Sequence, residues 1–380
     1  MRIRSGIKNF IRQFPFIYPA GMISSCARWI DRENTKSGIY AGVRKHSYKF
    51  LQPAEHQTHQ LPLLDQELDA KQFNANTFYQ TAPAYLYNLK DCYLYKQMGL
   101  VLNKHHALFK EFTHHFGIST LSKFLFKRPF FTYSARVNHK AGIGAVLVSP
   151  QSHNYYHWLF DVLPRIKLYQ SVAGQINHFC VSAAVPQKFL EILPQFGIPT
   201  DQLLLINDTQ KFHFESLFIG SLPGSEGRSP QWAIDYVRSV LIKETSTSAA
   251  KKIYFKRGDS AGRKIINEDE VIIMLRSQGF EIINPDALSI AGQIAIVQQA
   301  TVIIGAHGAA LANLMFAKTG TAVIEIFSPD YFRTDCYFTL ARMLALNYQY
   351  LQGTKPDHAA WGDIWVDEAL LTRKLQQISA

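Results

Sequence analysis

Ile304-Gly305-Ala306-His307-Gly308-Ala309-Ala310-Leu311-Ala312-Asn313-Leu314 decides how the rest of this chain is read. The β-branched run that enters it, Thr301 to Ile304, predicts a buried strand. The run breaks at Gly305, restarts at Gly308 and continues into small and apolar residues of good helix propensity. Strand, glycine turn and helix start together aim unpaired backbone N–H groups at an anion, most often phosphate. His307 lies inside the turn, where an imidazole adds a directed hydrogen bond.

Working outward, the pattern from Lys252 onward is regular. It predicts strands at Ile253–Lys256, Glu281–Ile283, Val302–Ile304, Val323–Phe327 and Tyr348–Leu351. Between them fall helices at Glu268–Ser277, Ile290–Gln299, after Gly308 and at Cys336–Leu344, with a turn containing Gly258 and Gly262 after the first strand. This is α/β alternation of the doubly wound, parallel kind. Such sheets bind ligands at the carboxyl ends of their strands, so Arg257, Gly305 to Gly308 and the loop after Phe327 are expected to converge. Neither GxGxxG nor GxxxxGK[ST] occurs, which disfavours a nicotinamide dehydrogenase and a P-loop kinase.

Upstream, α/β alternation starts at Ala145. Strands are expected at Val146–Val148, His178–Ser182 and Leu203–Ile206, and helices at Asn154–Gln170 and Gln187–Gln195. The Gly/Pro/Ser-rich run Ser221 to Pro230 reads as a linker or an active-site loop. Two domains follow, 1–225 and 226–380, with a last helix free to cross back to the first. The first 140 residues or so are poorly periodic and give no detailed expectation.

Composition narrows the class. The 380 residues are 47% hydrophobic and 18% charged, which is globular. No apolar run approaches the roughly 20 residues of a membrane helix. The net charge of +11 implies an anionic partner, yet the basic residues are dispersed and no nucleic-acid motif is present. Phosphorylated small molecules or acidic lipid suit this pattern better than nucleic acid. Within residues 2–14, Ile3, Ile7, Phe10, Ile11 and Phe14 share a helical face opposite Arg2, Arg4, Lys8 and Arg12. That face either packs on its own domain or lies on an anionic membrane surface. No secretory pattern is read, and Cys26, Cys92, Cys180 and Cys336 form no CxxC pair. The expected location is cytoplasmic, with the inner membrane as a peripheral surface.

A second dense cluster is His153-Asn154-Tyr155-Tyr156-His157-Trp158-Leu159-Phe160-Asp161-Val162-Leu163-Pro164-Arg165. Helical spacing places Asn154, His157, Asp161 and Arg165 on one stripe, and Pro164 is expected to kink the helix or mark its last turn. An imidazole and a carboxylate four residues apart make a base and its orienter, or else a pair that only satisfies itself. Arg257 and Arg263 flank the next glycine turn and can clamp a diphosphate, unless they are simply solvated. Asn267 and Glu268 open a helix, where capping alone would explain them. Glu325 lies inside an apolar strand and needs a partner, for which a ribose diol or an arginine would serve. His105, His106, His114 and His115 match no metal-ligand spacing. No two aspartates stand two apart, so the DxD pair that holds a divalent metal with a sugar nucleotide is missing.

Together these segments resemble glycosyltransferase family 61, the DUF563-type enzymes, over roughly Ser152 to Gln352. The resemblance rests on the His153–Arg165 cluster, on Arg257 with Arg263 through Asn267 and Glu268, and on Ile304–Leu314 followed by Val323 to Phe327. It implies a GT-B fold, two Rossmann-like domains facing each other across a cleft. It also implies inverting, metal-independent transfer from a UDP-sugar, which agrees with the missing DxD. Eukaryotic members are secretory-pathway enzymes that modify proteins or glycans. This chain looks more like bacterial members, expected to build surface polysaccharide.

On that reading the first domain is the acceptor side and the second binds the nucleotide-sugar. The catalytic pair is Asp161 and His157, Asp161 as base in the first instance, though the reverse assignment fits equally. His153, Asn154 and Arg165 serve a glycan or lipid-linked glycan acceptor. Arg257, Arg263, Asn267, Glu268, Gly305, His307, Gly308, Ala309, Asn313 and Glu325 serve the donor, with neither metal nor cofactor required. The alternative is a non-catalytic glycan- or nucleotide-binding module on the same fold.

Overall fold

A computed structural model describes residues 21–37, 46–64, 69–112, 137–224, 227–243, 250–257, 262–357 and 359–379. The amphipathic run 2–14, Gly258, His114 and His115 lie outside the described residues. The chain divides into two units, Met1–Pro53 with Pro83–Pro223, and Ala54–Ala82 with Gly224–Ala380. Pro223 and Gly224 lie within the Gly/Pro/Ser-rich break. The return of residues 54–82 to the second unit is a feature that a contiguous 1–225 domain does not contain.

In the first unit β1 (Gly21–Ile23), α1 (Cys26–Ser37) and β2 (Ser47–Gln52) come first. The chain then contributes β3 (His56–Thr58), α2 (Ala70–Asn74) and β4 (Phe78–Gln80) to the second unit. Returning, it forms β5 (Ala84–Tyr95), β6 (Leu100–Leu102), β7 (Ala107–Phe109) and β8 (Val137–Val146). Next, α3 (Tyr155–His157) passes through a π-helical turn (Trp158–Val162) into α4 (Leu163–Tyr169). β9 (His178–Ser182), α5 (Gln187–Leu190), β10 (Leu203–Ile206) and β11 (Lys211–Gly220) complete the unit.

Its strands form one sheet in the order β1-β7-β6-β5-β11-β8-β9-β10, with β2 paired to β5. The four strands β11-β8-β9-β10 are parallel. From the β10 edge they stand third, second, first and fourth in chain order, the arrangement of a Rossmann half. The switch of direction therefore falls between β8 and β11. One face of the sheet closes on α1, where Cys26, Trp29 and Ile30 pack with Leu89, Leu94, Phe109 and Phe214.

The second unit continues with α6 (Gln231–Leu241), β12 (Lys251–Phe255), α7 (Glu268–Ser277), β13 (Phe280–Ile283), α8 (Ile290–Val297) and β14 (Ala300–Ala306). A 3-10 helix (Ala309–Phe316), β15 (Ala322–Phe327), α9 (Tyr337–Met343), β16 (Asn347–Gln352) and α10 (Glu368–Ser379) follow. All five strands are parallel, in the order β13-β12-β14-β15-β16. Here the switch point lies between β12 and β14. The core explains the near-continuous apolar strands: Ile303, Ile304, Val323, Ile324 and Ile326 are fully buried. Each such side chain contributes about 1.5–3 kcal/mol. Among the described residues no helix is long and apolar enough to cross a membrane.

Candidate functional site

Each unit carries a cluster of polar groups at the carboxyl-end switch point of its own sheet. In the first unit it is built on the segment after β8. Asn154 caps α3, its Oδ1 accepting from Tyr156 N at 2.9 Å, which fixes where the helix starts. His157 Nδ1 then meets Asp161 Oδ2 at 2.7 Å, and both side chains keep 16% of their surface exposed. His153 is exposed.

The helix does not simply kink at Pro164. A proline there has no N–H for the Phe160 carbonyl, and the chain answers with a π turn in which Leu163 N bonds to Trp158 O. The wider turn also rotates everything beyond it, so Arg165 leaves the expected stripe. Arg165 is 2% exposed, with Nε on Gly220 O at 3.2 Å and Nη1 on Val148 O at 3.0 Å. The Tyr169 hydroxyl donates to Val146 O at 2.6 Å and accepts from Gly220 N at 2.8 Å. Arg165 and Tyr169 thus stitch together the ends of β8 and β11. Arg165 is a brace for the switch point. Its fixed spacing to Tyr169, four residues on, is the signal that pairs the two in sequence.

In the second unit Arg257 follows β12, and Glu268 holds it there. Glu268 Oε1 accepts from Arg257 N at 2.9 Å and from the Tyr254 hydroxyl at 2.8 Å, so Glu268 positions the arginine backbone. The Arg257 guanidinium donates to Gly262 O at 3.2 Å and to His307 O at 3.0 Å, bridging the ends of β12 and β14. Burial, and then the Arg263 guanidinium nearby, push the Arg257 pKa down to about 10. A cation held that way gains from a nearby anion. Gly308 leaves the room it needs, since a Cβ at that position would stand 2.8 Å from Arg257 Nη1.

Arg263 sits in the left-handed region at φ 58°, its guanidinium over the Tyr331 ring at 4.9 Å. Beyond Gly308 the segment forms a 3-10 helix and not an α-helix, with Leu311 N bonding to Gly308 O at 3.0 Å. Gly308 O also accepts from the buried Tyr337 hydroxyl at 2.6 Å. Gly305 brings β14 close to Leu311, and Ala309 is half-buried at the start of the turn.

Three of the side chains expected on the donor side are bonded inside the protein. Glu325 is fully buried and spends both oxygens inside the protein, Oε1 on His307 Nδ1 at 2.5 Å and Oε2 on the Tyr348 hydroxyl at 2.6 Å. Those bonds orient the imidazole and leave His307 Nε2 as the nitrogen for a ligand. Asn313 is buried, donating to Gln293 Oε1 at 2.7 Å and Ala310 O at 3.0 Å. Asn267 stands at the start of α7 without a side-chain cap bond and instead exchanges two hydrogen bonds with the Val366 backbone, at 2.9 and 3.0 Å.

The rings of Phe327, Tyr331 and Tyr337 surround His307, all at 5.3–5.4 Å between centroids. Tyr337 and Tyr331 have no sequence signal of their own. A cavity of about 470 Å³ lined by Asp69, Asp330, Gly353, Thr354 and Lys355 lies at the ends of β15 and β16. In the first unit His106 Nδ1 meets Lys211 Nζ at 3.2 Å and its ring stacks on Tyr93 at 4.7 Å. Burial, and then Lys211, push the His106 pKa down to about 4.

Compared with known proteins, residues 155–324 match the family model described as Glycosyltransferase 61. The chain is 34% identical over 91 residues to the EGF domain-specific O-linked N-acetylglucosamine transferase of Mus musculus, covering 23% of this chain and 17% of that protein. It is 30% identical over 106 residues to protein O-linked-mannose beta-1,4-N-acetylglucosaminyltransferase 2 of Bos taurus, covering 25% and 18%. Over 113 residues it is 30% identical to the xylan glycosyltransferase MUCI21 of Arabidopsis thaliana, covering 28% and 22%. These relatives are eukaryotic, and the matched stretch spans under a quarter of their length.

Proposed function

We propose that this chain is an inverting, metal-independent glycosyltransferase that moves a sugar from a nucleotide-sugar, a UDP-sugar in the first instance, to a glycan acceptor. The observation that carries the reading is a pairing of parts. A half-buried His157–Asp161 pair and an Arg257–Gly308–His307 anion cradle each occupy the switch point of a parallel sheet. Both fall inside the segment matching the glycosyltransferase model.

The chemistry follows from the groups. With Asp161 ionised, the shared proton sits on His157 Nδ1, and Nε2 takes the proton of the acceptor hydroxyl. This makes His157 the base and Asp161 its orienter, the second of the two orders open in the sequence. The acceptor oxygen attacks the anomeric carbon in line, and the bond from that carbon to the diphosphate oxygen breaks, inverting the configuration. Charge gathers on the leaving diphosphate, where Arg257, Arg263 and His307 stabilise it. Without a DxD pair in the sequence, the two guanidiniums supply the neutralisation that a metal otherwise provides. We take the biological setting to be surface-polysaccharide assembly by a bacterial-type enzyme, cytoplasmic or peripheral on the inner membrane, with a lipid-linked or free glycan as acceptor.

The test is transfer measured as UDP release with acceptor present, with and without EDTA. His157→Ala and Asp161→Asn are each expected to lower turnover by about 10²- to 10⁴-fold while UDP affinity by calorimetry stays unchanged. Full turnover in both variants sinks the assignment, and loss of activity in EDTA sinks the metal-independent part.

A further inference from the structure

Trp361 is the anomaly of the second unit: 65% of its surface is exposed, yet the residues that follow it are hydrogen-bonded to the unit. Gly362 N donates to Asp330 Oδ2 at 2.7 Å, and Lys355 Nζ donates to the same oxygen at 2.8 Å. Asp363 accepts from Lys264 N at 3.1 Å and from Ala360 N at 3.2 Å. Ile364 bonds through N to Lys264 O at 2.8 Å and through O to Ile266 N at 2.8 Å. An indole exposed on a loose loop needs no explanation, but one carried on a braced backbone costs less to order when a ligand arrives.

What the indole stands beside gives the ligand class. Its ring meets Tyr331 edge-on at 6.1 Å between centroids, and Tyr331 in turn touches the His307 ring at 5.4 Å and carries the Arg263 guanidinium at 4.9 Å. The aromatic wall therefore starts at the anion cradle and runs outward from it. Among the described residues Arg263 has no carboxylate partner. Arg263 also holds a left-handed backbone at φ 58°, with Gly362 at φ 86° packed against it; a Cβ on Gly362 would lie 2.8 Å from Arg263 Cγ. Strain kept at a position where cation and aromatics meet marks a place whose geometry matters. A ligand that uses both ends of this wall must carry an anion and a flat, weakly polar ring.

We propose that Trp361, flanked edge-on by Tyr331, forms the stacking platform for the base of a nucleoside diphosphate whose phosphates lie at Arg257, Arg263 and His307. The inference rests on the nucleotide-sugar reading above and adds a part of the site to it. Base stacking on an aromatic ring survives changes of base because every base has a π face, so the platform holds the nucleotide without selecting it. Selection then falls to groups that touch the base edge.

Calorimetry with UDP and with inorganic diphosphate on the full chain tests this. Wild type is expected to bind UDP more tightly than diphosphate. Trp361→Ala should weaken UDP by about tenfold or more while leaving diphosphate affinity unchanged, and Trp361→Phe should retain most of the UDP affinity. UDP affinity untouched in Trp361→Ala overturns the platform and leaves the glycosyltransferase reading standing. Equal losses for UDP and diphosphate overturn it too, since they mark a structural role. Wild type that binds neither ligand overturns the nucleotide-sugar reading itself, and the platform with it.

Discussion

The two units each hold a histidine against a carboxylate, and the pairs differ in every respect except their chemistry. His157 and Asp161 are four residues apart on one helical segment, with 16% of each side chain open to solvent. His307 and Glu325 come from the adjacent parallel strands β14 and β15; Glu325 has no exposure, and Tyr348 covers its second oxygen. A carboxylate with both oxygens spent and no exposure holds its imidazole in one orientation. A carboxylate with one oxygen bonded and some surface left can let its partner take and lose a proton during a reaction. On the proposed reading, burial more than residue type separates the orienting pair from the working one.

This comparison can be broken most sharply by stability. Glu325→Ala removes the partner of a buried imidazole and a buried phenol at once, and should lower the unfolding free energy by about 3–5 kcal/mol. Asp161→Ala loses one local pair and should cost about 1 kcal/mol or less. Urea titrations showing equal losses would erase the distinction. A smaller effect is expected from Gly308→Ala. Its new Cβ would displace the Arg257 guanidinium and leave the backbone, already extended at φ 171°, in place. UDP affinity should fall by about tenfold while the urea midpoint stays put; a shift of the midpoint with no loss of affinity would place Arg257 outside the donor site.

The smallest expected effect lies with the histidine whose partner is a cation. His106 is pushed down to about 4 in the fold from an ordinary 6.5, by burial and then by Lys211. Between those values the unfolded chain binds a proton that the folded chain refuses. The stability that depends on a neutral His106 is complete above pH 6.5 and is lost as pH falls toward 4. His106→Asn keeps a residue suited to the left-handed φ of 60° and removes the titration. Its urea midpoint should drop less than that of wild type between pH 7 and pH 4.5, and parallel profiles would show that His106 has no part in acid sensitivity.

How much of this was legible follows the kind of signal each element carries. The strands of the second unit are buried on both faces, so their β-branched runs stand out, and α7 runs from Glu268 to Ser277 as its periodicity predicts. The 3-10 helix after Gly308 was not legible as such. Its composition favours an α-helix, and the buried Asn313 bonds to Ala310 O and Gln293 are tertiary facts. Helical spacing brought His157 to Asp161 correctly, although Asp161 already lies inside the π turn that begins at Trp158. It misplaced Arg165 because a π turn intervenes and spacing assumes 3.6 residues per turn. Glu325 was recognised as needing a partner, but the partner depended on strand register, which sets Gly305 opposite Glu325 and His307 just beyond. In the first unit β5 alternates Tyr, Leu and Asn with mixed burial on both faces, so its twelve residues give no clean period.

The segment 54–82 carries a consequence for the order in which the chain becomes a protein. Glu55 accepts from Gln231 N at 2.6 Å and Trp232 N at 3.3 Å, serving as the N-terminal cap that α6 lacks in its own sequence. Asp69 accepts from the Tyr350 hydroxyl at 2.5 Å across 281 residues of chain. Asn76 pairs with Thr334 and Arg228. On a ribosome these residues emerge early and wait while the rest of the first unit and then the whole parallel sheet are made. Contacts so distant in sequence close late and slowly. A truncation that begins at Gly224 would therefore remove a cap and several hydrogen-bond partners from a unit that looks contiguous by its sheet alone, and early-emerging residues become the last to be buried.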